Sequence, residues 1–284
     1  MNLEDSWCQR AIDIIKDVEV NVLIAKLNKD YSYDECKKYD LIASCTTGTD
    51  HIENKEVPLI SLKGETDFLS GIYATAEMTW SLILSLIRRI PFAFDDVKQG
   101  NWDREAWQGS ELRGKTLGII GLGRVGYQVM QIADAFGMRI CFYDPKYIAH
   151  TETPLEWVLQ NSDIITVHVP LNESTKCMFG MEQFKLMKPT SFFINTSRAL
   201  IVHDQSLYNA LCDGQIAGAA IDVMEGYPHK YWEYFTEYAK QCNNLIITPH
   251  LGGQTKESRE KTQVYLAQKI REWIYEQEKN KKQD

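Results

Sequence analysis

Two side chains in the C-terminal half have the chemistry to act on a small acid: Arg198, in I-N-T-S-R-A-L, and His250, in T-P-H-L-G-G. Arginine grips a planar carboxylate through two parallel charged hydrogen bonds. Histidine titrates near neutrality and commonly gives or takes the proton of a carbonyl or hydroxyl oxygen. A histidine doing that work usually needs a carboxylate to hold and charge it. The stretch I-D-V-M-E-G-Y-P offers Asp222, Glu225 and Tyr227 for the part, and only the first two are acids.

A further pattern, G-L-G-R-V-G, sets Gly121, Gly123 and Gly126 in G-x-G-x-x-G spacing. It follows the apolar run T-L-G-I-I and opens a helical pattern, the context a phosphate-binding turn requires. Gly121 permits the tight turn, Gly123 lets the backbone approach a pyrophosphate, and Gly126 lets helix and strand pack closely. The helix N-terminus then offers free N–H groups and partial positive charge. The next strand pattern ends at Asp144, about 20 residues past the loop, where an acid binds a ribose 2′-hydroxyl. That acid repels a 2′-phosphate, so NAD is expected over NADP, with Lys146 able to soften the preference.

Short apolar runs positioned to hold these groups recur from Thr116 onward, at 116–120, 139–143, 164–169, 191–195, 217–223 and 244–248. Segments with helical spacing separate the first five. Nearly continuous apolar strands alternating with helices predict a parallel sheet buried on both faces, here a six-stranded doubly wound one. Ligands of such a sheet lie beyond the carboxyl ends of its strands. Those ends carry Pro170 and Thr175; Thr196, Ser197 and Arg198; Asp222; and His250, Gly252 and Gly253. The first ~75 residues read as a smaller α/β unit with strands at 21–27, 40–44 and 58–62, left by a long helix at 74–90. A C-terminal helix at 255–277 is expected to pack back on that unit, followed by a frayed polar tail. The aromatic segment 227–241 is expected either to border the site or to cover a subunit contact. His168 reads as structural, His150 and His229 as loop residues, His203 as lying near a helix start, and His51 as a local cap.

A net charge of −8 and pI near 5.4 argue against a broad nucleic-acid surface. Seven scattered cysteines without C-x-x-C argue against a disulfide framework or a zinc knuckle; no metal is expected, and the thiols fit a cytoplasmic protein. No window approaches the ~18 apolar residues of a membrane span, and the N-terminal stretch lacks the apolar core of a leader.

Together these features resemble the D-isomer-specific 2-hydroxyacid dehydrogenases. The resemblance rests on G-T-D-H-I (48–52), T-A-E-M-T-W-S-L-I-L-S-L-I-R-R (75–89), K-T-L-G-I-I-G-L-G-R-V-G (115–126), Y-D-P (143–145), V-P-L-N-E-S-T (169–175), I-N-T-S-R-A-L-I-V (194–202), A-A-I-D-V (219–223) and T-P-H-L-G-G (248–253), in that family's order. It implies an NAD domain with a Rossmann sheet at 89–263 and a discontinuous, flavodoxin-like substrate domain at 1–88 plus 264–284. A homodimer acting on a small 2-keto or 2-hydroxy acid is also implied. The family's catalytic arginine falls on Arg198 and its acid–base histidine on His250. Its cofactor contacts fall on Thr47, Arg124, Val125, Asp144, Thr175, Thr196, Ser197 and Asp222. Substrate carboxylate would also meet backbone N–H groups around Thr47 and Gly48.

The chain departs from that pattern at three places. Met1 leads into a helix where the family opens with a strand, and Ala199 stands where glycine commonly follows the arginine. Tyr227 occupies the position of the family's acid before proline, with Glu225 as a possible substitute. The expected function is therefore hydride transfer between NAD(H) and a 2-keto acid with altered acid–base tuning. The alternative is a catalytically weak NAD(H)-binding homologue that serves as a regulatory or scaffolding dimer.

Overall fold

The structure is a computed structural model that describes residues 7–17, 19–27, 29–146, 153–224 and 230–281. Glu225, Tyr227, His229 and His150 lie outside the described residues. Two compact units divide the chain, one of Met1–Ile72 with Gln254–Asp284 and one of Tyr73–Gly253.

The smaller unit holds a parallel sheet in the order β1 (Val22–Ala25), β2 (Leu41–Ser44), β3 (Leu59–Ile60). The C-terminal helix, Lys256–Lys281, lays Leu266, Ala267 and Ile270 against Ala11 and Ile15 of helix Gln9–Ile15 and against Val22, Leu41 and Ala43 of the sheet. The tail expected to fray is helical to Lys281, because 276–281 consists mainly of Glu, Lys and Gln, all good helix formers.

The larger unit is the six-stranded parallel sheet, with β4 (Thr116–Ile120), β5 (Arg139–Tyr143), β6 (Ile164–Val167), β7 (Phe192–Asn195), β8 (Gly218–Ile221) and β9 (Leu245–Ile247). Their order is β5-β4-β6-β7-β8-β9. Chain direction across the sheet reverses at β4, so the crevice at a doubly wound sheet's switch point opens beside the glycine loop that follows β4. Every residue of β6 and β8 is buried. Alternate strand residues feed two cores. Ile165, Val167, Phe193, Ala219 and Ile221 pack with helices 155–161, 181–186, 204–212 and 230–241, while Ile164, Ile194 and Ala220 pack with helices 74–87 and 124–135. Two-sided burial is why these strands read as unbroken apolar runs in the sequence.

Two further expectations change. The helix predicted over 74–90 ends at Ile87, because Arg89 takes a left-handed φ of 56° and a second helix, Ile90–Lys98, begins with a proline in its first turn. Pro91 has no N–H to continue the first helix, but it is tolerated in the first turn of the second, where that N–H would have no partner. Helix Ala74–Ile87 also belongs to the larger unit, where Ala76, Trp80, Ile83 and Ile87 join its core. The boundaries of the compact units accordingly differ from those expected at 88/89 and 263/264. The aromatic segment forms helix Lys230–Gln241, which turns the fully buried Phe235 into the larger unit's own core with Tyr231 and Tyr238 packed beside it.

Candidate functional site

Strand register brings the site together. Tyr143, Ile120, Val167, Asn195, Ile221 and Ile247 pair in one row across all six strands. Each is the last residue of its strand, so the segments that follow leave from one edge of the sheet. They carry Asp144, the glycine loop, Pro170 with Thr175, Thr196–Arg198, Asp222, and His250 with Gly252 and Gly253. β7 and β9 flank β8 directly, which sets the Arg198 and His250 segments roughly 10 Å apart at their roots, two strand spacings.

The glycine turn has the shape a dinucleotide needs. Gly121 has φ +93°, and a Cβ there would meet the His168 backbone at 2.8 Å. A Cβ on Gly126 would lie 2.1 Å from the Gly121 carbonyl oxygen, whereas Gly123 faces open space with nothing within 4 Å. Helix Arg124–Ala135 begins there without a side-chain cap, so its N-terminus remains available to an anion. Val125 lies in the same first turn, and burial pushes the Arg124 guanidinium below its ordinary range. Asp144 accepts from the Leu122 N–H at 2.8 Å and the Lys146 N–H at 2.9 Å, tying the end of β5 to the glycine turn. These residues fit an NAD pyrophosphate and ribose.

The segment after β6 is folded on itself by Thr175, whose hydroxyl donates to the Pro170 carbonyl at 2.6 Å and accepts from the Asn172 N–H at 2.9 Å. His168, just beyond β6, lies with Nε2 2.9 Å from the Thr166 hydroxyl, and burial pushes its pKa down to about 3. It is neutral at any physiological pH. His203 stands at the start of helix Asp204–Cys212, as expected. His51 is buried, its ring edge-on to Tyr31 in the smaller unit.

Arg198 is positioned by Asn195, a residue of the I-N-T-S-R-A-L stretch whose part was not evident from the sequence. The Asn195 side chain, 1% exposed, accepts from the Ser197 N–H at 3.0 Å and the Ser197 hydroxyl at 2.8 Å, and donates to the Arg198 carbonyl at 2.9 Å. The buried Thr196 hydroxyl pairs with that of Thr79 at 2.9 Å. A polar side chain at the end of an otherwise apolar strand was the signal that could have found Asn195.

Asp222 does for β9 what Asn195 does for β7. Its fully buried carboxylate accepts from the Thr248 hydroxyl at 2.6 Å and from the N–H groups of Leu251 and Gly252 at 2.7 Å each. A Cβ on Gly252 would come within 3.2 Å of that carboxylate, while Gly253 faces open space. Between those anchors His250 takes a left-handed φ of 57°, a conformation that costs a non-glycine residue on the order of 1–2 kcal/mol. A strained backbone pinned from both sides is a mark of a functional residue.

The family model described as "D-isomer specific 2-hydroxyacid dehydrogenase, NAD binding domain" matches residues 80–252, more than half of the chain. The chain belongs to the D-isomer-specific 2-hydroxyacid dehydrogenases.

Among curated members of that dehydrogenase family, it is 35% identical to the D-3-phosphoglycerate dehydrogenase of Methanocaldococcus jannaschii, over 93% of this chain and 51% of that relative. It therefore spans about half that relative's length. It is 33% identical to the glyoxylate reductase of Pyrococcus furiosus, over 89% of this chain and 78% of the relative. Among solved structures, the D-lactate dehydrogenase from Aquifex aeolicus complexed with NAD and lactic acid superposes with a TM-score of 0.77 at 26% identity, covering 90% of this chain and 84% of that one. Among the described residues, no helix is long and apolar enough to cross a membrane, and no group of three or more His, Cys, Asp or Glu could hold a metal.

Proposed function

We propose that this dehydrogenase uses NADH to reduce a small 2-keto acid to the D-2-hydroxy acid, and runs the reverse reaction with NAD. The observation that supports this reading is the common exit of the Arg198 and His250 segments from the sheet edge that also bears the glycine turn. Bound NADH supplies hydride to the carbonyl carbon. Arg198 grips the substrate carboxylate and polarises the carbonyl; within the smaller unit, the N–H groups of Thr47 and Gly48 are donors suited to a carboxylate. Protonated His250 donates to the carbonyl oxygen; in the reverse direction neutral His250 takes that proton back. Gly121, Gly123, Arg124, Val125 and Gly126 cradle the pyrophosphate, and Asp144 selects NAD by repelling a 2′-phosphate. Pro170, Thr175, Thr196, Ser197, Asp222, Gly252 and Gly253 line the remaining length of the cofactor. The larger unit is the NAD domain and the smaller the substrate domain.

Tyr227 stands in the sequence where the family has an acid, and a phenol lacks the charge that stabilises imidazolium, so a less basic His250 is expected. Glu225 is the available substitute. The working form is a homodimer: helix Ile90–Lys98 buries none of its residues and presents Ile90, Phe94 and Val97 along one side, followed by Trp102, which is 88% exposed. All seven cysteines are free thiols, which supports a cytoplasmic setting.

Following NADH absorbance with glyoxylate, pyruvate, hydroxypyruvate and bulkier 2-keto acids tests the reading. Turnover on at least one is expected. Tight NADH binding with no turnover on any would leave the scaffolding alternative, which Arg198 and His250 together disfavour.

A further inference from the structure

The smaller unit holds a chain of hydroxyls with no place in the scheme so far. β2 ends at Ser44, which is fully buried, and the next turn runs Thr46-Thr47-Gly48. The Ser44 and Thr46 hydroxyl oxygens are 2.7 Å apart, and the Thr46 hydroxyl is 2.6 Å from the Gly48 carbonyl oxygen. A carbonyl oxygen only accepts, so the proton of Thr46 goes to Gly48. Thr46 then has none left for Ser44, and Ser44 donates to Thr46. The order of donors along the chain is thus fixed by chemistry. The Thr46 carbonyl in turn accepts from the N–H of Leu62 at 3.0 Å. Both ends of the three-residue turn are therefore tied down. Among the described residues, the N–H groups of Thr47 and Gly48 donate to no protein acceptor.

We propose that Ser44 and Thr46 are positioning residues that hold the Thr47–Gly48 backbone as a preformed receptor for the substrate carboxylate, a role that rests on the reaction proposed above. The relay holds the Gly48 carbonyl, whose lone pairs would otherwise compete with an incoming anion, in a bond to Thr46. Two neighbouring N–H groups left without an internal acceptor form a small anion-binding concavity. Holding them before substrate arrives removes the ordering cost from binding.

The test compares Thr46→Val, which keeps the branched shape and deletes the hydroxyl, with Ser44→Ala and with the conservative Thr46→Ser. With the best 2-keto acid of the wild type, Thr46→Val is expected to raise KM roughly five- to tenfold, the equivalent of one lost neutral hydrogen bond. Its kcat should stay within about twofold, the signature of lost uniform binding. Ser44→Ala should move KM the same way by less, Thr46→Ser should restore it, and NADH affinity should not change. Oxamate, an unreactive 2-keto-acid mimic, titrated into the NADH-loaded protein makes the same comparison without turnover. Wild-type KM and oxamate affinity in Thr46→Val would overturn the relay, as would a Thr46→Ser variant no better than valine. A wild type that reduces no 2-keto acid overturns the functional reading instead, and the oxamate titration then decides the relay alone.

Discussion

At the scale of single residues, His250 and Arg198 are supported in different currencies. His250 is held in a left-handed backbone by three hydrogen bonds from its segment to the buried Asp222 carboxylate. Arg198 is extended, and Asn195 fixes its backbone. In the sequence, Tyr227 stands where the family's pattern has an acid. In the proposed reaction, reduction needs protonated His250 and fails as pH rises through its pKa. Tyr227→Glu places a carboxylate in that position and is expected to move the alkaline limb of kcat/KM for keto-acid reduction to higher pH. Full pH–rate profiles of both forms check this; an unmoved limb would assign the tuning elsewhere. Arg198→Lys keeps the charge but loses the two-pronged fork. Its kcat/KM should fall on the order of 100-fold, about 2.7 kcal/mol, with NADH affinity retained by fluorescence titration.

Among the elements, the glycine turn separates packing from ligand space. A Cβ at Gly126 meets a backbone oxygen at 2.1 Å, whereas one at Gly123 meets nothing within 4 Å. Gly126→Ala must therefore push helix 124–135 off β4, at a cost of about 1–3 kcal/mol, and should lower both the melting temperature and NADH affinity. Gly123→Ala should leave the melting temperature of the free protein unchanged and still weaken NADH, because the added methyl enters the space proposed for pyrophosphate. Thermal melts beside calorimetric titrations distinguish the two, and equal melting temperatures would refute the packing argument.

For the whole molecule, two properties extend beyond the site. Among the described residues, none covers the apolar side of helix Ile90–Lys98, where Ile90, Phe94 and Val97 stay exposed. Phe94, 63% exposed, should therefore be replaceable by aspartate with little loss of fold but with conversion of the proposed dimer to a monomer, read by light scattering behind a sizing column; a variant as large as the wild type would move the contact elsewhere. Acid stability should also bear the mark of His168. Burial depresses its folded-state pKa to about 3, while the unfolded chain titrates near ~6.5. Between those values the unfolded chain takes up a proton that the folded protein refuses, so stability is fully present above the unfolded value and is lost as pH falls toward the folded one. His168→Gln should flatten that part of the stability–pH curve in denaturant titrations; an unchanged slope would place the acid sensitivity in other groups.

Much of this was legible from the chain because the decisive signals are local. Strand, glycine turn, helix and closing acid lie within one short stretch, and their spacing alone predicts the phosphate cradle. The six larger-unit strands were likewise readable, since two-sided burial forces continuous apolar runs. The break at Arg89 was local too, written in Pro91, yet the strong helical pattern across 74–90 masked it. What the sequence could determine by itself was which residue types stand beyond which strand ends. The tertiary structure decided that β7, β8 and β9 are neighbours in register, that Asn195 and Asp222 spend their polar atoms on the Arg198 and His250 segments, and that helix 74–87 packs with the sheet that follows it. Pairings of this kind join residues tens of positions apart, and their free energy comes from burial and hydrogen bonds that exist only once the sheet has formed.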